Sequence, residues 1–275
     1  MSASACERDC KTLAKAKATS GLSHMGSTGI PPLPACDQIR LFEACIENSV
    51  DKLNHLMLNK SSVFDVNFAY HLQHGFDGCG PDLITAAGIT ALLGHDTCLE
   101  LLSKSPGIDL SKANLQGMAP IHYACKGGRN VAIGILIDNG VGVDIPAEFG
   151  HTPAMMCCHY GHVNTLELLC SRGADLNLKN IDGFTAAHIA CRYGYVKCLQ
   201  LLSKRGADIN NNQNIAATTP LDWARIFQMP DCIAFLIKKD ANGIMHEELH
   251  MIEEGQSADL RRASEMLEIL KVCLS

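Results

Sequence analysis

Asn180-Ile181-Asp182-Gly183-Phe184-Thr185-Ala186-Ala187-His188-Ile189-Ala190-Cys191-Arg192-Tyr193-Gly194-Tyr195-Val196-Lys197-Cys198-Leu199-Gln200-Leu201-Leu202-Ser203-Lys204-Arg205-Gly206-Ala207-Asp208 is a helix pair written out in full. A polar turn closes on Gly183, Thr185 opens a short helix, and Gly194 breaks it. A second helix carries Val196, Leu199, Leu201 and Leu202 on its apolar side and stops at Gly206. Two such short helices cannot bury their own apolar face. They need copies of themselves alongside.

The copies are present. Gly117, Gly150 and Gly183 stand 33 residues apart, as do Gly128, Gly161 and Gly194, and Gly140, Gly173 and Gly206. A fourth copy of the pair holds Gly150-His151-Thr152-Pro153 and Leu166-Glu167-Leu168-Leu169, and a sixth opens at Thr219-Pro220-Leu221-Asp222-Trp223-Ala224. The hydroxyls of Thr152 and Thr219 are expected to cap a helix whose first position is Pro153 or Pro220, where no N–H is needed. Over roughly residues 37–240 this pattern resembles the ankyrin repeat. The resemblance implies an all-α fold, an ankyrin-repeat solenoid of about six helix-turn-helix units joined by β-hairpin-like loops, with a C-terminal helical cap. It also implies that His122 and His188 tie neighbouring units by hydrogen bonds and are structural. Ala119 and Ala186 replace Thr and Pro of the pattern, and Met155 replaces its histidine.

Residues 1–36 read as a disordered tail, poor in apolar residues and carrying Pro31, Pro32 and Pro34. The array occupies 37–240, with Asp37 as the expected cap of its first helix. Asn67 to Thr85 is ten residues longer than Asn177 to Thr185, which places an extended insertion loop near 68–82. Residues 241–275 read as two helices, with Leu260, Ala263, Met266, Leu267, Leu270 and Leu274 on one face. That face either caps the open end of the array or binds a partner.

A hydrophobic share of 47% against 19% charged describes a foldable chain. The net charge of −6 argues against nucleic acid as partner, because phosphate contacts need a basic face. No apolar run is long enough for a membrane span, and the first residues lack the apolar core of a secretory signal. A cytoplasmic, and alternatively nuclear, location is expected. The 14 cysteines fit that compartment. Cys125, Cys158 and Cys191 recur every 33 residues, and Cys98, Cys198 and Cys232 occupy the second helix of their units. Periodic cysteines of this kind are small buried hydrophobes rather than disulfides or ligands.

Catalytic readings are few. His246-Glu247-Glu248-Leu249-His250 fits H-E-x-x-H, in which two histidines one turn apart bind zinc and the glutamate acts as base. A zinc-dependent hydrolase is thus the alternative function, but no suitably spaced third histidine follows and little chain remains for a catalytic domain. His71, His74 and Cys79 lack a fourth ligand. Cys157, Cys158, His159 and His162 take helix-core and turn positions of the repeat. The expectation is no enzyme, no cofactor and no metal.

The resemblance instead implies a protein–protein interaction scaffold or adaptor that binds a protein or peptide on its concave face. In such repeats the contacts come from the hairpin tips and from the two residues after the small pair of the first helix. At the tips stand Leu115, Met118, Phe149, Ile181, Asp182 and Phe184, and on the helices Lys126, His159, Tyr160, Arg192, Tyr193 and Phe227. Aromatic residues beside Arg have the composition of an interface hot spot, with Lys126 and Arg192 suited to acidic groups. Tyr160, Tyr193 and Phe227 either meet the partner or stack on one another between repeats. Asn177 and Asn210 resemble the hairpin asparagines that are hydroxylated in some ankyrin proteins.

Overall fold

The computed structural model describes residues 35–58, 67, 69–72, 82–114 and 116–239. The described chain forms six helix pairs. They are α1 (Ala35–Ile46) with α2 (Val50–Leu58), α3 (Ala86–Leu93) with α4 (Asp96–Ser103), and α5 (Pro120–Gly127) with α6 (Asn130–Asp138). There follow α7 (Pro153–Tyr160) with α8 (Val163–Ser171), α9 (Ala186–Arg192) with α10 (Val196–Lys204), and α11 (Pro220–Ile226) with α12 over 230–239. The all-α repeat architecture read from the sequence is the observed one. Residues up to 34, the segment 241–275 with His246 and His250, and the positions His74, Cys79 and Leu115 lie outside the described residues.

Two compact units divide the chain, Met1–Cys157 with Asn164–Ala174, and Cys158–Val163 with Asp175–Ser275. In the first unit, Leu41, Phe42, Ala44 and Cys45 of α1 pack with Leu53, Ile84, Ile89, Leu92, Cys98, Leu102 and Tyr123. α1 begins at Ala35, so Asp37 lies inside its first turn and is not the cap expected from the sequence. The insertion is also more regular than a loop. Strands β1 (Ala69–Leu72) and β2 (Asp82–Thr85) pair antiparallel, Ala69 opposite Thr85 and Leu72 opposite Asp82. The ladder satisfies backbone groups that a loop would leave to water.

Side chains at the starts of α4 and α6 tie their pairs to the previous one. His95 Nδ1 lies 2.8 Å from the Cys45 carbonyl, and Arg129 Nε–H donates to the Leu92 carbonyl at 3.1 Å. Each bond meets a carbonyl that the end of a first helix would leave open.

The three glycine series are turn positions, every member with φ between +65° and +90°. Gly183 shows why no other residue serves. Its φ is +84°, and an added Cβ would lie 2.6 Å from Asn214 Cα in the next hairpin. Those hairpins are joined by the Ile215 N–H donating to the Asp182 carbonyl at 3.0 Å. Both of these hairpins are also braced by an asparagine, a device the repeat period did not announce. The Oδ1 of Asn180 accepts the N–H groups of Asp182 and Phe184 (3.1 and 2.8 Å), and that of Asn214 accepts those of Ala216 and Thr218 (both 3.1 Å).

Of the nine cysteines whose side chains are described, eight are buried and all are thiols rather than disulfides, in keeping with their reading as packing residues. Burial, with Cys98 nearby, holds the Cys45 thiol well above its ordinary pKa. The expected caps are formed as well. α7 and α11 start at Pro153 and Pro220, the Thr152 Oγ1 accepts the Met155 N–H at 3.3 Å, and the Thr219 Oγ1 accepts that of Asp222 at 3.2 Å.

Candidate recognition surface

The first helix of each pair is short because a left-handed residue ends it, and its last turn carries the repeat's variable side chains. In the second unit these are His159 and Tyr160 on α7, Arg192 and Tyr193 at the end of α9, and Ile226 and Phe227 at the end of α11. They interleave. The His159 ring lies 4.2 Å from that of Tyr193, one repeat on, and 4.6 Å from that of Tyr160. Arg192 Cζ stands 5.6 Å from the centroid of Tyr193, 5.7 Å from that of Trp223 and 5.2 Å from that of Phe227. A cation of one repeat thus rests on rings of its own and of the next, a contact stabilised by the ring quadrupoles.

Behind this layer the rings turn inward. Phe184 is half-buried, its ring 4.3 Å from that of Trp223 and 5.5 Å from that of His188. Trp223 Nε1–H donates to Thr218 Oγ1 at 3.0 Å, which satisfies the indole where it is covered. His188 is fully buried; it accepts the Thr185 N–H at Nδ1 (3.1 Å), and its Nε2 lies 3.1 Å from the Thr218 carbonyl. His122 repeats the arrangement in the first unit, with the Ala119 N–H on Nδ1 (3.1 Å) and Nε2 facing the Ile145 carbonyl (2.9 Å). Accepting at Nδ1 and facing a carbonyl at Nε2 fixes both rings as the neutral Nε2–H tautomer. Burial lowers the pKa of His188 and drives that of His122 from 6.5 to about 4. Both tie each hairpin to its neighbour, the structural role the sequence assigned them.

Exposure sorts the remaining sequence candidates. Ile181 is 67% exposed, Phe149 56%, Phe227 39% and Tyr193 37%, and Arg192 is also open to solvent. Tyr160, His159, Asp182 and Lys126 are half-buried. Met118 is half-buried as well, packed against the first unit's core rather than standing free at a tip. Lys126, Met118 and Phe149 belong to the first unit; His159, Tyr160, Ile181, Asp182, Phe184, Arg192, Tyr193 and Phe227 belong to the second. Asn177 and Asn210 are exposed, and the Asn177 Oδ1 accepts the Asp208 N–H at 2.8 Å.

Two participants escaped sequence reasoning. Ile215 is 78% exposed, and Trp223 completes the ring set under Arg192; Ile226, which stands with Phe227 at the contact position after the small pair of its helix, is 64% exposed. The signal was a register shift. α9 starts at Ala186 and α11 at Pro220, a spacing of 34, so Ile215 corresponds to Ile181 and Ile226 to Arg192. Among the described residues, no group of three or more His, Cys, Asp or Glu stands close enough to hold a metal, and no helix is long and apolar enough to cross a membrane.

The family model for ankyrin repeats (three copies) matches residues 83–180, 130–213 and 173–246, together more than half of the chain. No curated protein matches it.

Proposed function

This chain belongs to the ankyrin-repeat family, whose repeats are in general protein–protein interaction modules, and we propose that it is a non-catalytic scaffold or adaptor that binds a protein or peptide through the exposed ends of its first helices and its hairpin tips. One observation carries this reading. Large apolar side chains of the second unit, Ile181, Tyr193 and Phe227, are open to solvent, and two of them, Tyr193 and Phe227, flank the exposed Arg192. Such side chains cost solubility, and their grouping has the makeup of an interface centre. Tyr193 serves both uses weighed from the sequence, since it packs on His159 while more than a third of it stays accessible. The net charge of −6 favours a protein over a nucleic acid as partner. The free cysteines favour the reducing cytosol or nucleus.

The test is affinity capture from native cells with the wild-type chain and with Tyr160→Ala/Tyr193→Ala, thermal unfolding being followed in parallel. The double variant is expected to lose its captured proteins while keeping a cooperative transition. Undiminished capture by the folded variant would sink the proposed face.

A secondary reading is that Asn177 and Asn210 are hydroxylated. What supports it is their exposure in corresponding hairpin positions.

A further inference from the structure

Arg192 holds the most particular charge on this surface. A guanidinium is planar: its two faces stack on rings, and its N–H groups point outward in the plane. Here three rings, Tyr193, Trp223 and Phe227, lie within 5.7 Å of Cζ. Yet Arg192 is exposed, and among the described residues its N–H groups meet no acceptor and no carboxylate. The carboxylate of Asp222, next to Trp223 in the chain, caps its own helix instead, its Oδ2 accepting the N–H and Oγ1–H of Thr219 at 2.9 and 2.8 Å. Stacking has therefore immobilised the long side chain before any partner arrives, which removes part of the ordering cost of binding. What it presents is a fork of unused donors beside an apolar platform that includes Ile226 and Phe227.

We propose that Arg192 is the receptor for a carboxylate: the partner is a linear peptide whose Asp or Glu side chain bridges the free edge of this guanidinium while an adjoining apolar residue covers Ile226 and Phe227. A carboxylate is planar and matches two parallel N–H groups. Its single charge balances the one guanidinium, whereas a phosphate dianion calls for further cations. The apolar neighbour follows from the platform, since exposed Ile and Phe gain from burial only against another apolar group. This inference rests on the scaffold reading and narrows it.

The chain contains one tryptophan, Trp223, and it lies under Arg192, so its emission reports occupancy of this spot directly. The probes are short peptides selected from a random displayed library against the full chain, then synthesised with each acidic residue and with its amide in place. Selected peptides are expected to share an Asp or Glu next to Leu, Ile or Phe and to change Trp223 emission. Replacing that Glu by Gln is expected to weaken binding about tenfold or more, the scale of a charge-assisted hydrogen bond. Arg192→Lys keeps the charge but not the fork and is expected to bind the acidic peptide less tightly than wild type. Arg192→Gln is expected to erase the difference between acidic and amide peptides. Peptides that lack acids, prefer phosphate, or bind Arg192→Gln as well as wild type would overturn the proposal. If native partners are still lost in Tyr160→Ala/Tyr193→Ala, only the carboxylate site has failed; if they are retained as well, the scaffold reading of this face fails with it.

Discussion

Acid should loosen this protein through its buried imidazoles, His122 above all. His122 is inaccessible to solvent and neutral, with Nδ1 accepting the Ala119 N–H and Nε2 giving its proton to the Ile145 carbonyl. Protonating it means charging a buried ring and turning Nδ1 from acceptor to donor against a backbone N–H. Its pKa consequently falls from 6.5 to about 4, burial outweighing the raising effect of the bonds to backbone. The folded value lies below the unfolded one, so between these limits the unfolded chain binds more protons, and stability falls as pH falls. The contribution is complete above pH 6.5 and is spent near pH 4, where the folded ring titrates too. Across that window one imidazole accounts for about 3 kcal/mol, at about 1.4 kcal/mol for each tenfold change in proton affinity. His188, also lowered by burial, acts in the same sense.

Two measurements check this. Urea unfolding followed by circular dichroism should show wild type losing stability between about pH 6.5 and pH 4. His122→Gln retains an acceptor for Ala119 and a donor for Ile145 but cannot ionise, so it should be less stable at neutral pH and lose less on acidification. The difference in slope isolates the imidazole from the carboxylates, which titrate in both proteins. Nitrogen NMR of the histidine rings gives the second readout, with His122 holding the Nε2–H tautomer well below pH 6.5. A His122 ring that titrates near 6.5, or a variant with the wild-type slope, would refute the reasoning.

Gly183→Ala should destabilise by about 2 kcal/mol or more, because it combines a left-handed φ with a contact to backbone that cannot turn aside. Gly173→Ala is its control, with φ +86° but nothing within 4 Å of the added methyl, and should cost only the conformational part, about 1 kcal/mol; equal losses in chemical denaturation would contradict the role given to the Asn214 contact. Peptide mass spectrometry of protein purified from its native cells should find one added oxygen at Asn177 or Asn210, and unmodified peptides at both positions would remove the hydroxylation reading.

The parts of the fold legible from sequence are those where one residue type answers one local demand. A left-handed turn wants glycine, and the three series at a spacing of 33 are the turns. A helix start wants Thr-Pro, and a hairpin that must be tied wants a neutral imidazole, as at His122 and His188. Cysteine where Ala is usual reads as a small apolar filler, and eight of the nine whose side chains are described are buried. None of these depends on which side chain stands one repeat away, since His122 and His188 meet backbone carbonyls there. The strand pair at the insertion does depend on a distant partner, since Ala-Tyr-His-Leu over 69–72 has no β character until it meets 82–85.

The recognition surface depends on such neighbours everywhere. Tyr160 and Tyr193 hold the same place in their repeats, yet Tyr160 is half-buried and Tyr193 open. The difference arises from residues at other points of the period. His159 packs on both rings, and Arg192 is drawn over Tyr193 because the following repeat supplies Trp223 and Phe227. In the helix register Phe227 corresponds to Tyr193, and Ile226, rather than another cation, corresponds to Arg192. A further Arg or Lys there would repel Arg192 at close range and compete for the same rings. Period therefore settles the backbone, while the rings that one repeat supplies to the next give this surface its ring-held arginine.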